Sequence, residues 1–321
     1  TVNVAKLFII SGGVRVEDNR QQLNSATYGA DKIVVDNPIT SALPSVNASW
    51  NISEKSLVRA AWSNTVNRPE FRELAPFSFY DFSSNNVLYG NPDLTTATIS
   101  NLDARWEMYP SLSDVVSVGV FEKSFTNPIE MFFVPGAGSG GTRNFTFKNA
   151  EKAESLGAEV EVRRSFNGIF KAGWLSHFGM LFNGTLIKST VTLGAQAVGQ
   201  DNKRPMMGQS PYVVNAGLFY TDTDRKLQCN VMFNTFGKRL YAVGSFGTPD
   251  IYEMPSSTLD VTLSKSLNKH FDVKIGAQNL FNARTLLQQD SNSDGKITSS
   301  DEEIMSYRRG IYFSGSLSYK F

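Results

Sequence analysis

The feature that most constrains the fold is an alternation of apolar and polar side chains at the C-terminal end of the chain. In "GIYFSGSLSYKF" (310–321), Ile311, Phe313 and Leu317 fall on one face, with Tyr319 and Phe321, and mostly serines fall on the other. A two-residue period is that of a β-strand, because successive side chains of a strand point to opposite sides. The segment is therefore predicted to be a strand with one apolar and one polar face.

Upstream segments repeat this alternation. In "FDVKIGAQNLF" (271–281), Phe271, Val273 and Ile275 share one face, and in "AEVEVRR" (158–164) valines alternate with acidic residues. Segments of this kind predict about twelve strands. Their approximate bounds are 6–17, 43–51, 56–68, 94–108, 114–134, 151–164, 170–191, 210–221, 226–241, 253–266, 270–281 and 309–321.

The connections between the predicted strands are of two alternating kinds. Short polar turns are predicted at 51–56, 109–114, 165–168, 221–226 and 267–270. Long loops are predicted near 18–42, 69–93, 135–150, 192–209, 242–252 and 282–308. Short turns at one end and long loops at the other are typical of an outer-membrane barrel. We therefore predict an all-β fold, a transmembrane antiparallel β-barrel.

A soluble β-sandwich or propeller is the alternative fold. Against it, the polar faces of the predicted strands carry many charged and amide side chains. A soluble core would bury these groups without partners, whereas a wide barrel keeps them in water. No blade-like repeat is visible in the sequence either.

Composition excludes several classes of protein. No apolar run reaches about 18 residues, so transmembrane helices are not expected. The formal net charge is +1 with acidic and basic residues well mixed, so a nucleic-acid-binding surface is not expected. The single cysteine, Cys229, cannot form an internal disulfide.

The segment "DSNSDGKITSSDEE" (290–303) has the spacing of a calcium-binding loop. Calcium prefers hard oxygen ligands at alternate positions of a tight loop, in which a glycine permits the bend. The predicted ligands are the side chains of Asp290, Asn292, Asp294 and Asp301 and the carbonyl oxygen of Lys296. A calcium sensor needs two flanking helices, whereas strands flank this segment. We therefore predict that calcium braces a loop here, and the alternative is an acidic loop without a metal.

Phe321 ends the chain on the apolar face of the last predicted strand, with Tyr319 two residues before it. This arrangement resembles the C-terminal signal that the bacterial barrel-assembly machinery recognises. A soluble strand that ends in Phe by chance is the alternative. The resemblance implies that the short turns are periplasmic and the long loops extracellular.

A second resemblance lies in "NRPEFRELAPFSFYDFSSNNVLYGNPDL" (67–94), within the segment 63–110. It is similar to TonB-dependent receptors of the Bacteroidetes type, in which an Arg-Pro pair ends a strand, an aromatic loop follows and Asn-Pro-x-Leu opens the next strand. Pro69 cannot donate to a sheet ladder, which explains why a strand would end there. The residues assigned to this loop motif are Arg68, Pro69, Phe71, Phe77, Phe79, Tyr80 and Phe82. We expect Leu74 and the phenylalanines to pack the loop into a defined shape.

The resemblance extends to "FEKSFTNPIEMFF" (121–133) and "NAEKAESLGAEVEVRRSF" (149–166). It implies a 22-stranded barrel, a plug domain and a box that contacts TonB. Only about twelve strands are predicted, and no segment resembles a plug. We therefore expect residues 1–321 to be the C-terminal half of such a barrel, with the plug domain absent from this chain.

Signatures of catalysis are weak. "GAGSGG" (136–141) fits a dinucleotide-binding pattern but precedes no helical period, so a loop is expected. The two histidines, His177 and His270, lack the further ligands or partners of a metal or catalytic site. Glu159 and Glu161 share a polar strand face, which is expected to be wet and is a poor candidate for glycoside hydrolysis. We expect the protein not to be an enzyme.

Aromatic residues near strand ends are better explained by the girdle of a membrane barrel than by a ligand site. These are Trp62, Trp106, Tyr109 and Tyr319.

The resemblance implies TonB-dependent import of a scarce, large nutrient across the bacterial outer membrane. The substrate would be a siderophore–iron complex, a corrinoid, a glycan or a peptide. The implied partners are TonB through a plug, the barrel-assembly machinery, the lipid bilayer and a surface lipoprotein or other outer-membrane proteins. The alternatives are a structural subunit of a larger outer-membrane complex and a passive porin-like channel.

Overall fold

The structure, a computed structural model, contains 22 strands, one short α-helix and two 3-10 helices among the residues that it describes. Those residues are 2–5, 7–26, 32–82, 85–134, 143–167, 169–170, 173–197, 201–244, 248–292, 296–298 and 300–321. The strands are β1 (Val2–Ala5), β2 (Phe8–Ala26), β3 (Lys32–Ser53), β4 (Ser56–Asn67), β5 (Ser78–Asp81), β6 (Asn86–Tyr89), β7 (Ala97–Met108), β8 (Val115–Thr126), β9 (Ile129–Phe133), β10 (Arg143–Asn149), β11 (Lys152–Ser165), β12 (Phe178–Thr192), β13 (Lys203–Arg204), β14 (Tyr212–Asp222), β15 (Leu227–Phe236), β16 (Arg239–Ala242), β17 (Ile251–Glu253), β18 (Ser256–Ser266), β19 (Phe271–Gln278), β20 (Arg284–Gln289), β21 (Glu302–Arg308) and β22 (Tyr312–Tyr319). The α-helix is α1 (Phe71–Leu74), and the 3-10 helices are Gly173–His177 and Gly194–Gln196.

One large sheet dominates the fold and is called the wall below. Its order is β1-β2-β3-β4-β7-β8-β11-β12-β14-β15-β18-β19-β22, and the two-residue strand β13 pairs with β12. The wall is antiparallel throughout, so it is an up-and-down meander in which each wall strand pairs with the next one along the chain. The all-β prediction of about twelve long antiparallel strands is confirmed.

The register of the wall separates two faces. Val160 pairs with Val118 and Gly184, whereas Glu161 pairs with Ser117 and Asn183. Side chains in one row therefore share a face across neighbouring strands. The apolar face includes Val118, Val160, Leu186, Leu218, Val231, Val261, Ile275 and Leu317. The polar face includes Arg59, Asp103, Arg105, Glu159, Glu161, Asn215, Asn234 and Lys274.

The apolar face of the wall is not a protein core. Leu186 is 66% exposed, Leu218 53% and Leu317 68%. A soluble sandwich would bury such a face against a second layer. The wall therefore contradicts the sandwich alternative and suits a surface that faces lipid.

Protein core is found instead in the long connections at one end of the wall, which together form a cap. Phe145 packs with Leu240 and Leu287, and Phe132 packs with Val191, in clusters of fully buried side chains. A third cluster joins Val35 of β3 to Leu74 and Leu94, which both lie in the connection between β4 and β7. The cap is thus held by its own apolar burial, whereas the wall is held by its strand ladders.

The long loops 69–93, 135–150, 242–252 and 282–308 were predicted without strands, and this was wrong. They contribute to two four-stranded sheets, β5-β6-β10-β9 and β16-β17-β20-β21. Predicted strands 114–134 and 226–241 are each divided in two, and Asn127 at φ 53° makes the first break. A left-handed residue interrupts a strand and starts a new direction.

The prediction of a loop over 18–42 was also wrong. Strands β2 and β3 continue through this region and pair from Phe8–Trp50 to Ala26–Lys32. Pro38 lies within this stretch of β3, and β4 pairs with β3 only from Ser45 onwards. Pro38 therefore lies where β3 has no ladder to β4, and its missing N–H costs no bond on that side.

The predicted turn 165–168 is too short. Strand β11 ends at Ser165, and β12 begins only at Phe178, not at residue 170. The 3-10 helix Gly173–His177 fills part of this connection.

Within the described part of the chain, no helix has the length and apolar character needed to cross a membrane.

Candidate functional site

The polar face of the wall carries a network of charged groups. Arg105 Nη2 donates to Glu161 Oε2 at 2.7 Å and to Ser117 Oγ at 2.8 Å. Arg105 Nε also lies 3.3 Å from Glu107 Oε1, and Tyr109 donates to the other oxygen of Glu107 at 2.8 Å. Arg105 and Glu107 of β7, Ser117 of β8 and Glu161 of β11 lie in adjacent rows of the register, and Tyr109 directly follows β7. The network confirms that charged groups of this face find polar partners rather than an apolar core.

Two shallow cavities, of about 290 and 360 Å³, adjoin this network on the polar face. Asp103, Phe121 and Glu159 line both of them. Met206 and Gln209, from the segment after β13, line the larger one. The cap segment around Met206 therefore reaches the polar face, and Met206 N–H donates to Ser189 Oγ at 3.2 Å. This surface offers carboxylates, an ammonium group and aromatic rings to a ligand in the lumen.

Arg68 and Pro69 of the loop motif, which follow the end of β4, are bonded to side chains of β2. Arg68 Nη2 donates to Glu17 Oε2 at 2.8 Å. Gln21 Nε2 donates to the carbonyl oxygen of Pro69 at 2.7 Å. The helix α1 follows, and its Glu73 carboxylate accepts from the Glu70 N–H at 2.8 Å, as in a capping box.

The aromatic residues of the motif pack less than expected. Leu74 is fully buried, as predicted, but Phe82 is 86% exposed. The rings contact each other instead: Phe77 meets Phe79, Tyr80 meets Phe82, and the Arg72 guanidinium lies 4.6 Å from the Phe79 centroid. Phe71 is 58% exposed and lies outside the core. Shape therefore comes from Leu74 and Leu94, and the aromatic side chains of the motif remain exposed on the cap except for Phe79, which is half-buried.

Asn91 and Asn149 secure the Asn-Pro-Asp-Leu element. Asn91 Nδ2 donates to the Phe147 carbonyl at 2.9 Å, and its Oδ1 accepts from Asp93 N–H at 3.0 Å. Asn149 bonds both the N–H and the carbonyl of Thr95, at 2.8 and 2.9 Å. These side chains replace a missing sheet ladder. The motif in the sequence hinted at Asn91 but gave no sign of Asn149.

Gly90 permits a close backbone crossing in this loop, and its replacement is a test of the cap. A Cβ at Gly90 would lie 1.9 Å from the Ala75 carbonyl oxygen. We expect Gly90→Ala to destabilise the cap by about 1–3 kcal/mol, because the crossing must widen. Hydrogen exchange of residues 71–94 would measure this effect. Gly13→Ala is the matched control, since nothing lies within 4 Å of a Cβ there, and equal exchange in both variants would contradict the account.

A buried ion pair that the sequence did not reveal joins β13 to β9. Arg204 Nη2 donates to Glu130 Oε2 at 2.9 Å and to the Met131 carbonyl at 3.2 Å. The two side chains are only 4% and 7% exposed. Burial raises the pKa of the Glu130 carboxyl, although Arg204 opposes that shift. Within the cap, the pair ties the Met206 segment to β9.

The predicted calcium loop is only partly within the described residues. Asp294 lies outside them, whereas Asp290, Asn292, Lys296 and Asp301 lie inside. Asp301 Oδ1 accepts from the N–H and Oγ of Ser291, and Oδ2 accepts from the N–H and Oγ1 of Thr298. Because a carboxylate has about four lone-pair sites, a cation on Asp301 would replace at least one of these donors. In the described ranges, no three His, Cys, Asp or Glu side chains are grouped to hold a metal ion.

The Asp301 contacts predict how this loop responds to acid. The Thr298 N–H, with further donors, holds the pKa of Asp301 below its usual range. Because the folded pKa is lowered, the Asp301 contacts stabilise the folded loop. This stabilisation is fully present above about pH 4, the ordinary aspartate pKa, and is lost as the pH falls through the folded pKa. A spin label at Glu302→Cys should stay immobile from pH 8 to 5 and become mobile only as the pH falls through this lowered pKa. Asp301→Asn should mobilise the label at neutral pH, and a label that is as immobile in this variant as in the parent would contradict this role.

The terminal aromatic residues lie beside the last short turn. His270 stacks on Tyr319, and Tyr319 meets Phe321 edge to face. Lys320 N–H donates to the His270 carbonyl, and Lys320 Nζ pairs with Asp272. These contacts give His270 a structural role beside the last strand. Tyr319 and Phe321 are on the exposed apolar side of the wall, 53% and 109% exposed.

Comparison with known proteins identifies the fold. The family model described as "TonB dependent receptor-like, beta-barrel" matches residues 1–280. A search of curated proteins gave no match. Among solved structures, the ferric enterobactin receptor of Pseudomonas aeruginosa is 14% identical with a TM-score of 0.62, over 99% of this chain and 43% of that one. The ferric-catecholate import receptor of E. coli K12 gives 14% and 0.67, over 99% of this chain and 43% of that one.

The ferric yersiniabactin uptake receptor of Yersinia pestis is 14% identical with a TM-score of 0.66, and the match covers 99% of this chain and 44% of that one. At such identity the likeness shows the fold alone. The chain spans less than half the length of the receptors that it matches.

These findings confirm the coarser predictions. The family is one of receptors and not of enzymes, which agrees with the non-enzymatic prediction. Its barrels lie in the bacterial outer membrane, so the apolar face of the wall faces lipid and the polar face lines the lumen. The chain belongs to the TonB-dependent receptor-like β-barrel family and lies in the bacterial outer membrane.

Proposed function

We propose that this chain is the C-terminal part of a TonB-dependent transporter of the Bacteroidetes type. It would complete a 22-stranded barrel with strands that precede β1. The supporting observation is the open wall: β1 and β22 are its two ends. Open sheet edges are not tolerated in lipid, because unpaired backbone groups there have no water to bond.

The proposed activity is import of a scarce, large nutrient, namely a siderophore–iron complex, a corrinoid, a glycan or a peptide. The observation that supports this activity is the position of the cap. The cap has its own apolar core, and its Met206 segment lines one of the two cavities on the polar lumen face. The names of the solved receptors, for ferric enterobactin and ferric yersiniabactin, favour siderophore–iron among these substrates.

The proposed partners follow from this activity. TonB would act through a plug domain, and the barrel-assembly machinery would recognise the strand that bears Tyr319 and Phe321. A surface lipoprotein or another outer-membrane protein would contact the exposed aromatic side chains of the loop motif.

We also propose that calcium braces the loop 290–303. Asp290, Asn292, Asp294 and Asp301 would supply side-chain oxygens and Lys296 its carbonyl. Calorimetric titration of the intact barrel tests this proposal, with Asp290→Asn as the matched variant. Heat at millimolar calcium that is reduced in the variant is expected, and no heat would contradict the site.

Nutrient uptake tests the transport proposal. Cells that lack this receptor and cells that lack TonB should show the same growth defect when one of the four substrate classes is the limiting source. Growth that depends on the receptor but not on TonB would contradict energised import. In that case, ion conductance of the purified protein would favour a porin-like channel. Stable co-purification with other outer-membrane proteins would favour a structural subunit.

A further inference from the structure

The connection between β11 and β12 differs from the other short connections of the wall. It runs from Phe166 to His177, whereas those between β3 and β4 and between β14 and β15 are tight polar turns. Ile169, Phe170 and Trp174 are exposed by 46%, 47% and 66%. Large apolar side chains grouped on a surface mark a contact with a partner or a membrane.

The described residues of this connection have a defined shape. Phe166 N–H donates to the Phe178 carbonyl at 2.8 Å, and Ile169 N–H donates to the Phe166 carbonyl at 3.1 Å. Phe166 and Phe170 meet edge to face with centroids 5.3 Å apart. Ile169 and Phe170 are therefore presented by a hydrogen-bonded turn, and Trp174 by the 3-10 helix Gly173–His177.

The connection continues the apolar face of the wall. The register pairs Phe178 with Tyr220 and Met180 with Leu218, so Phe178 and Tyr220 face lipid. Trp174 meets Phe178 edge to face at 5.9 Å, and Phe178 meets Tyr220 at 4.9 Å. A ladder of aromatic rings thus leads from the lipid-facing surface to Trp174, below the last wall residues.

Polar groups at the same level mark the edge of the membrane. Arg164 Nη1 lies 3.4 Å from Asp114 Oδ2, and His177 Nδ1 lies 3.1 Å from the Thr221 carbonyl. Charged and imidazole groups beside aromatic rings are typical of the headgroup region, where Trp places its ring in the apolar layer and its N–H in the polar one.

We propose that this connection is an interfacial anchor, in which Ile169, Phe170 and Trp174 insert among the phospholipid headgroups of the periplasmic leaflet. Continuity with the lipid-facing surface selects phospholipid rather than a protein as the occupant. The inference rests on the periplasmic assignment of the short turns and is independent of what the barrel transports. The anchor fixes the height of the wall in the membrane on this side.

Tryptophan fluorescence tests the anchor in the intact receptor, reconstituted in nanodiscs of phosphatidylcholine with brominated acyl chains. Difference spectra between the parent and Trp174→Phe isolate Trp174. The matched reference is Trp106→Phe, because Trp106 pairs with Val118 on the lipid-facing rows. Bromolipid should quench Trp174 to at least half the extent found for Trp106, and aqueous acrylamide should quench it weakly.

Strong acrylamide quenching without bromolipid quenching would overturn the anchor and place Trp174 in water. Protection from both quenchers would also overturn it, because a protein segment would then cover the turn. If Trp174→Phe fails to fold, a spin label at Ile169→Cys gives the same answer. Oxygen should then reach that label more readily than a water-soluble nickel complex does, and the reverse order would contradict the proposal.

Discussion

Replacement of Val160 by arginine should strongly destabilise the membrane-inserted barrel. Val160 lies on the lipid-facing side of β11, between Val118 and Gly184 of the neighbouring strands. Arginine at the middle of a lipid-facing strand costs about 2–4 kcal/mol. Unfolding in denaturant from lipid vesicles measures this loss.

The matched control is Glu159→Arg, one residue away on the same strand. Glu159 faces the lumen and lines both cavities, so an arginine there remains in water. Its effect should stay within about 1 kcal/mol, as for surface charges elsewhere. Equal losses for the two variants would contradict the assignment of the faces.

Loss of one partner of the Arg204–Glu130 pair should loosen the cap strongly. Removing one charge of a buried pair leaves the other unpaired and costs about 3–5 kcal/mol. Glu130→Leu leaves a guanidinium that cannot lose its proton. Arg204→Met leaves a carboxyl that can become neutral, and burial already raises the pKa of Glu130. Glu130→Leu should therefore be the more harmful change.

Hydrogen exchange of residues 129–133 and 203–211 measures these effects. The double variant, Glu130→Leu with Arg204→Met, should be close to the parent, because no buried charge remains. In Arg204→Met the cap should gain stability as the pH falls through the raised pKa of Glu130, since the folded state binds that proton more readily. Additive losses in the double variant, or no pH response, would contradict the buried pair.

The wall was predictable because lipid imposes a simple rule on the sequence. A strand between lipid and water must alternate, and Val160 beside Glu161 shows that rule without reference to any distant residue. The Arg68-Pro69 pair was also visible, since that motif is local, whereas the calcium site inferred from the spacing of 290–303 stays a prediction.

The cap was not predictable from local patterns. Strand β6 pairs in parallel with β10, which follows much later in the chain. Such short strands are selected by packing around Phe145 and Leu240, and their sequences resemble ordinary polar loops. The Arg204–Glu130 pair could not be predicted for the same reason, because its two residues are far apart in the sequence.

The prediction of a short turn at 165–168, where the connection Phe166–His177 lies, was wrong for a different reason. Its apolar residues resembled the start of β12, because a run of exposed aromatic side chains at a membrane edge has the composition of a strand. The structure places the start of β12 at Phe178, whose carbonyl oxygen accepts a hydrogen bond from Phe166 N–H.

Spin labels placed one at a time along residues 157–163 of β11 test the central claim most directly, that this chain is a membrane barrel wall with a lumen. In the intact receptor in lipid, labels at Ala158, Val160 and Val162 should favour oxygen, and labels at Glu159, Glu161 and Arg163 should favour a water-soluble nickel complex. Accessibility that alternates with a two-residue period is the predicted result. Uniform accessibility along the strand, or alternation of the opposite sense, would contradict the account.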